Sequence, residues 1–154
     1  MPIAIKDSTI DITSEKLTKE LAKEFTKYLK GGEFVFLYGE MGVGKTTFVK
    51  YFINEYQKIN NLTQTEITSP TFSLLNEYQV KDIRIKHYDL FRINRKEDIN
   101  NLDIFEKDNK LITLIEWPQL IADKQDIKFI TLTFNYLNQL NLSLIHISEP
   151  TRPV

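Results

Sequence analysis

The residues with the clearest chemical meaning lie in one short segment, Gly39 to Thr46, which reads G-E-M-G-V-G-K-T. This is the complete G-x-x-x-x-G-K-[ST] pattern, in which backbone N–H groups surround the phosphates of a nucleotide and glycine permits the tight turn. All five glycines of the chain lie between positions 31 and 44. The pattern predicts a phosphate-binding loop rather than an ordinary glycine-rich turn. We expect the nucleotide to contact Gly39, Glu40, Met41, Gly42, Val43, Gly44, Lys45, Thr46 and Thr47.

Two acidic residues are candidates for the chemistry around the phosphates. Lys45 is expected to reach the β and γ phosphates, and the Thr46 hydroxyl to ligate a Mg²⁺ ion that bridges them. Mg²⁺ prefers hard oxygen ligands. Glu116 ends the apolar, strand-like run 111–115, which is the stronger buried-strand signal, and Asp89 ends the strand-like run 83–88. We assign Glu116 to the magnesium shell and Asp89 to orienting or deprotonating the attacking water. Lys45, Asp89 and Glu116 are thus the predicted catalytic residues, while exchanged roles for the two acids, or solvated acids without a role, stay open.

Three further features near these residues have more than one interpretation. His87 either hydrogen-bonds to the site or is a structural partner within a strand. Trp117, next to Glu116, either covers the nucleotide, contacts a partner or packs in the core. The loop Ser69–Pro70–Thr71 either senses the γ-phosphate through its hydroxyls, as a switch loop does, or is a simple proline turn. We include Thr71 among the candidate nucleotide contacts.

The sequence favours ATP over GTP. A GTPase of the Ras type needs a D-x-x-G motif after the phosphate loop, and no glycine follows Gly44. The N-K-x-D motif is also absent, because Asn109 and Lys110 are followed by leucine and isoleucine. The predicted cofactors are therefore ATP and Mg²⁺.

Composition limits the other classes of function. The 154 residues are 42% hydrophobic, which fits a single domain with one sizeable core. The net charge of −1 gives no electrostatic reason to expect direct binding to nucleic acid or to an anionic membrane. No cysteine is present, which excludes disulfides and thiolate chemistry. With no leader-like or membrane-spanning run, we expect a cytoplasmic protein.

The elements that must position these residues alternate between helix and strand. Ser14 is the expected N-cap of an amphipathic helix that ends at Gly31. A strand at 34–38 precedes the phosphate loop, and a helix that begins at Thr46 and fades at Asn60 and Asn61 follows it. An inserted antiparallel hairpin is predicted from strands at 73–80 and 83–90. A short helix at 94–106, a strand at 111–115 and a last strand at 127–132 or slightly longer follow it. This pattern predicts an α/β fold with a mixed, mostly parallel sheet of the P-loop NTPase type, flanked by helices.

The last residues, 143–154, read SLIHISEPTRPV. They have the pattern of one more edge strand with a frayed tail, and they also resemble a translated sequencing adapter. We therefore hypothesise that this tail does not belong to the native protein, and we place the P-loop domain at residues 1–142. We assign no chemistry to His146 or Arg152. An independent read of the genomic locus that ended in the same residues would contradict the hypothesis.

Four blocks together resemble the TsaE family, small bacterial ATPases that support synthesis of threonylcarbamoyladenosine (t6A) at position 37 of tRNA. The blocks are L-Y-G-E-M-G-V-G-K-T-T at 37–47, T-S-P-T-F-S-L at 68–74, H-Y-D-L-F-R at 87–92 and L-I-E-W-P at 114–118. The resemblance implies ATP hydrolysis with Mg²⁺ held through Thr46 and Glu116, and an adenine site near Glu15 and Thr18. It also implies a threonylcarbamoyltransferase subunit and its paralogous dimer partner as partners, low ATPase activity without them, and only indirect contact with tRNA.

Some features depart from the family pattern, and other functions stay open. Phe91 replaces a more usual tyrosine, the segment 102–105 lacks an expected glycine, and the residues from 143 onward do not resemble the basic final strand of the family. The first alternative function is a small-molecule kinase, although 154 residues leave little room for an acceptor domain. The second is an interaction module in which ATP orders a docking surface without turnover.

Overall fold

A single seven-stranded sheet forms the centre of the molecule. The computed structural model describes residues 8–11, 14–40, 42–70, 72–123, 127, 129–136 and 143–148, and for 8–11, 136 and 143–148 it describes the backbone alone. The strands follow the order β1-β7-β6-β2-β5-β4-β3 across the sheet. Their bounds are β1 Ser8–Asp11, β2 Phe34–Tyr38, β3 Leu75–Val80, β4 Ile83–Asp89, β5 Leu111–Glu116, β6 Phe129–Tyr136 and β7 Ser143–Ser148.

The four central strands, β6, β2, β5 and β4, are parallel to one another, and antiparallel strands lie outside them on both sides. Strands β2 and β5 are continuous apolar runs, which suits strands that are covered on both faces. The predicted hairpin is present, because β3 pairs antiparallel with β4. The structure confirms the predicted mixed α/β sheet.

Two α-helices pack on the same face of the sheet. Helix α1, Glu15–Tyr28, begins at the expected N-cap, where the Ser14 hydroxyl accepts a hydrogen bond from Leu17 N at 3.2 Å. Helix α2, Lys45–Ile59, begins directly at the end of the phosphate loop. Its apolar side forms the larger core cluster together with α1 and alternate residues of the central strands. Packing on this face fixes the start of α2 above the end of β2.

The opposite face is covered by short 3₁₀ segments and loops rather than by α-helices. The predicted helix at 94–106 is a 3₁₀-helix, Lys96–Leu102, and it stops at Asp103, whose φ of 51° is left-handed. The two asparagines in this segment have low helix propensity, which is consistent with the shorter, tighter element. The Tyr88 hydroxyl donates to the Leu102 carbonyl oxygen at 2.6 Å and ties the segment to β4. A second cluster of apolar side chains lies beneath it.

The C-terminal part of the sheet differs from the prediction in two ways. The strand predicted at 127–132 is β6, Phe129–Tyr136. Residues 143–148 form a strand, but β7 lies between β6 and β1 rather than at the edge, because β1, which was not predicted, pairs with its outer side. The hypothesis that residues 143–154 are foreign, and the domain boundary after 142, stay predictions; residues 149–154 lie outside the described part.

Within the described residues, no helix combines the length and apolar character needed to cross a bilayer.

Candidate active site

Three parallel strands bring the predicted residues to one edge of the sheet. Strand β2 leads into the phosphate loop, β5 ends at Glu116 and β4 ends at Asp89. Glu116 is the register partner of both Leu37 in β2 and Asp89 in β4. Because the carboxyl ends of parallel strands meet at the same edge, residues that are far apart in sequence lie side by side here.

The phosphate loop has the backbone that its glycines predict. Gly39, Gly42 and Gly44 all have positive φ, at 147°, 79° and 116°. A Cβ atom at Gly39 would lie 2.8 Å from both the Phe134 carbonyl oxygen and Val43 Cγ1, so a side chain cannot be accommodated there. Gly44 directly precedes α2, whose first free N–H groups therefore face the loop.

A buried hydrogen-bonding unit joins the loop to the end of β5. The Thr46 hydroxyl lies 2.9 Å and 3.0 Å from the two carboxylate oxygens of Glu116. His87 Nε2 lies 2.6 Å from Glu116 Oε2. Glu116 is 2% exposed and His87 is fully buried, so both contacts are shielded from water. Of the two interpretations of His87, its position favours the one in which it hydrogen-bonds to the site.

The second ring nitrogen of His87 supports an assignment of its proton. Nδ1 is buried and has no hydrogen-bond partner among the described residues. A neutral imidazole has one donor and one acceptor nitrogen, and the carboxylate of Glu116 accepts hydrogen bonds. We therefore assign the proton to Nε2, which donates to Glu116. In this tautomer the hydrogen bond from His87 in β4 holds Oε2 of Glu116 in place. Thr46 contacts the same carboxylate from the α2 side.

Asp89 lies beside this unit in a different environment. Its Oδ1 accepts from Phe91 N at 3.0 Å, and its Oδ2 lies 3.4 Å from the Ser69 hydroxyl. Burial raises the pKa of Asp89; the Phe91 N–H lowers it and the negative charge of Glu116 raises it further. A carboxylate with a raised pKa is a stronger base than an exposed one, which suits proton abstraction from water.

The loop lysine is held between polar and aromatic groups. Lys45 Nζ donates to the Gly39 carbonyl oxygen and lies 3.6 Å from the centre of the Trp117 ring, a cation–π contact. Burial lowers the pKa of Lys45, while Glu116 and Asp89 act in the opposite direction. Trp117 adopts a left-handed backbone with φ 58° and packs against Phe91, with 4.7 Å between ring centroids. The indole is therefore next to the phosphate loop rather than in the core alone.

These groups line a cavity of about 320 Å³ at the sheet edge. It contains the candidates Gly42, Gly44, Lys45, Thr46, Thr47, Asp89 and Glu116, together with Ser69, Phe91, Arg92 and Trp117. Gly39, Glu40 and Val43 line a neighbouring cavity of about 520 Å³ on the β6 side of the loop. Phe91 and Arg92 were not predicted as site residues, although both belong to the H-Y-D-L-F-R block that also contains Asp89.

The remaining candidates lie elsewhere or outside the described residues. Glu15 accepts a hydrogen bond from the Tyr51 hydroxyl at 3.0 Å, and the Thr18 hydroxyl contacts the Ser14 carbonyl oxygen at 3.3 Å. Neither lines the two cavities above, and their proposed contact with adenine stays a prediction. Met41 and Thr71 lie outside the described part of the chain.

The donor atoms fit a magnesium ion that is shared with phosphates. Thr46 donates its proton to Glu116, so the lone pairs of its oxygen remain available to a cation. Glu116 and Asp89 add hard carboxylate oxygens at adjacent register positions. Among the described residues, no group of three or more acidic, histidine or cysteine side chains is arranged to hold a metal. Mg²⁺ is commonly bound by one or two protein oxygens plus substrate phosphates, and Thr46 and Glu116 match that requirement.

The strand order, and the phosphate loop that follows β2, give the chain a fold of the P-loop NTPase type. Its architecture matches the crystal structure of Bacillus subtilis YdiB with a TM-score of 0.69, over 93% of this chain and 86% of that one, at 22% identity. At this identity the likeness shows the fold.

Sequence similarity then identifies the family. The family described as threonylcarbamoyl adenosine biosynthesis protein TsaE matches residues 12–144. The TsaE protein of Rickettsia typhi is 41% identical over 110 residues, which are 71% of this chain and 74% of that protein. The TsaE protein of Rickettsia conorii is 40% identical over 114 residues, 71% of this chain and 61% of that protein. The chain belongs to the TsaE family, which confirms the resemblance drawn from the four sequence blocks.

Proposed function

We propose that the protein binds ATP with Mg²⁺ and hydrolyses it in support of t6A synthesis in tRNA. Family membership supports the biosynthetic role. The observation that carries the proposal of hydrolysis is the contact of the Thr46 hydroxyl with both carboxylate oxygens of Glu116, at 2.9 Å and 3.0 Å, with Asp89 in register beside it. A loop hydroxyl, a buried acid and a second acid at one cavity are the groups that phosphoryl transfer to water requires.

Each group has a distinct proposed role. Lys45 and the N–H groups of the loop bind the β and γ phosphates, and Thr46 and Glu116 hold Mg²⁺, which on binding offsets the negative charge of these oxygens. Asp89 orients a water molecule and takes its proton. The water oxygen forms a bond to the γ-phosphorus, the bond from that phosphorus to the βγ-bridging oxygen breaks, and ADP and phosphate leave. The proton passes from Asp89 to solvent.

The environments of the two acids support this division of roles. Glu116 is engaged by Thr46 and by His87, which fixes its orientation toward the loop hydroxyl. Asp89 has the raised pKa, and its contacts are one backbone N–H and a longer approach from Ser69. A fixed carboxylate suits a metal shell, and a carboxylate with a raised pKa suits a base. Exchanged roles remain an outcome of the test on Glu116.

The proposed partners are a threonylcarbamoyltransferase subunit and its paralogous dimer partner, in the cytoplasm. The support for them is the family, not a contact in this structure. The net charge of −1 is consistent with reaching tRNA through those partners rather than by direct binding.

The experiment is phosphate release from ATP with Mg²⁺ by the purified chain, alone and with the transferase pair, with Lys45→Ala as the control. We expect a low rate that rises with the partners and is lost in the variant. Turnover that requires a small hydroxyl acceptor would favour the kinase, and ATP binding without any turnover would favour the interaction module. Either result would overturn the proposal of an ATPase.

A further inference from the structure

Arg92 is a cation at the phosphate cavity to which the proposed hydrolysis of ATP has so far assigned no role. It lines the cavity together with Lys45, Asp89 and Glu116. It follows the end of β4 by three residues, in a turn closed by hydrogen bonds from Phe91 N to Asp89 Oδ1 and from Ile93 N to the Leu90 carbonyl oxygen, each at 3.0 Å. This turn ties the position of Arg92 to that of the proposed base.

The charged end of Arg92 rests on an aromatic ring. Its Cζ lies 4.5 Å from the centre of the Phe72 ring, and Phe72 is 84% exposed. No ion pair joins Arg92 to a carboxylate in the described part of the chain, although Arg84 pairs with two carboxylates and Arg95 with one. Stacking uses the face of a guanidinium and leaves its in-plane N–H groups free to donate. The side chain is therefore held near the cavity with its donors available.

We propose that Arg92 is a further catalytic residue, which binds the γ-phosphate oxygens and stabilises the charge that they carry during transfer to water. The inference rests on the proposed ATPase function. The transition state of this reaction spreads negative charge over the three equatorial oxygens, and a planar guanidinium can donate to two of them at once. Lys45 supplies a single point charge from the loop side, and Arg92 adds a second cation from the β4 side.

The contact with Phe72 also connects this role to the Ser69–Phe72 loop. The chain just before that loop is held in place, because Asn54 and Gln57 of α2 hydrogen-bond to Thr65, and Asn76 of β3 to Thr68. The far end of the loop contains the ring on which Arg92 rests. Arg92 therefore lines the cavity and at the same time contacts an exposed side chain of this loop.

The test compares Arg92→Gln and Arg92→Lys with Arg95→Gln in the full chain. Arg95 is a matched control, because its side chain is 73% exposed, pairs with Asp98 and does not line the cavity. We measure kcat and KM for ATP, and by calorimetry the affinities for ADP and for ADP with Mg²⁺ and aluminium fluoride, a mimic of the transferring phosphate.

For Arg92→Gln we expect kcat to fall about 100-fold or more, since an arginine that contacts the transferring phosphate contributes about 10³ to 10⁵ in kcat. Affinity for ADP stays unchanged, affinity for the aluminium fluoride complex falls, and Arg92→Lys recovers part of both. Arg95→Gln matches the wild type.

Wild-type kcat and wild-type affinity for the aluminium fluoride complex in Arg92→Gln would overturn the inference. A loss confined to the partner-stimulated rate would also overturn it and would assign Arg92 to docking. A wild-type chain with no turnover would instead be a failure of the proposed ATPase function, so the two failures are distinguishable.

Discussion

The two faces of strand β4 contain charged residues in opposite environments. On the face away from the helices, Arg84 pairs with Glu106 and Asp108, and Lys86 pairs with Glu106 at 2.8 Å and with Glu77 at 3.8 Å. On the helix face, His87 contacts Glu116, and Asp89 lines the cavity and has no ion pair among the described residues. Adjacent residues of one strand thus belong to a structural ion network and to a reactive site.

The pKa values show the same difference. Hydrogen bonds from Lys86 and Arg84 lower the pKa of Glu106, whereas burial raises the pKa of Asp89. The hydrogen-bonded cations stabilise Glu106 in its charged form, whereas at Asp89 the effect of burial outweighs the favourable charge of Lys45 nearby. The carboxylates of the structural network are thus neutralised within the fold, whereas Asp89 at the cavity has no ion pair in the described part of the chain.

The largest effect is expected for Glu116→Ala. Removing the carboxylate takes away the partner of Thr46 and His87, so Mg²⁺-dependent turnover should fall about 10²-fold to 10³-fold, while nucleotide affinity changes much less. Phosphate release over a range of Mg²⁺ concentrations, with ADP binding as the control, measures both. Full activity in this variant would show that our assignment of roles to the two acids is wrong.

Asp89→Asn should separate activity from stability. We expect turnover to fall about 10²-fold, at the lower end of what a general base contributes, because the base is lost, with nucleotide binding retained. The melting temperature should rise slightly, because an amide needs no neutralisation on burial.

In the wild type, protonation removes the base, so kcat/KM should fall as pH decreases through the raised pKa of Asp89. A rate that is the same across the acidic range would contradict the role of Asp89.

His87→Gln should have a smaller, metal-specific effect. Glutamine can still donate to Glu116 but has a different length, so the carboxylate is less well oriented toward the loop. A residue that orients a metal ligand typically contributes about 10-fold to 100-fold in metal affinity. We expect a comparable increase in the Mg²⁺ concentration at half-maximal rate, with ADP binding unchanged. His87→Ala, which lacks the donor, should be affected more than His87→Gln.

The smallest effect, and one on stability alone, is expected for Glu106→Gln. Lys86 is 5% exposed and would lose its nearest partner, so we expect the melting temperature to fall by about 2–4 °C with unchanged turnover. The wild-type contribution of Glu106 is present above the ordinary carboxyl pKa and is lost as pH falls through the lowered folded-state value. The difference in melting temperature should therefore shrink in acid. Glu97→Gln is the control, because Glu97 is an exposed acid on the same face. A loss of turnover in Glu106→Gln would contradict the separation between the structural face and the reactive face of β4.

Local patterns were enough to predict most elements. The Ser14 cap, the apolar runs of β2 and β5 and the hairpin all form where the sequence indicates, because capping, burial on both faces and alternation are local signals. Strand β1 was missed, since four residues without a clear alternation give little signal and pairing with β7 supplies their hydrogen bonds. The 3₁₀ form of Lys96–Leu102 was missed because its end is set by packing under Tyr88.

The sequence by itself determined the phosphate loop and the two acids, because a tight turn around phosphate allows only glycine at certain positions and because buried strands end visibly at charged residues. Only the tertiary structure decided which groups meet: that His87 contacts Glu116, that Trp117 contacts Lys45, and that Arg92 rests on Phe72 at the same cavity. These contacts depend on the order of the strands in the sheet. That order is set by packing between distant segments, which no local pattern contains.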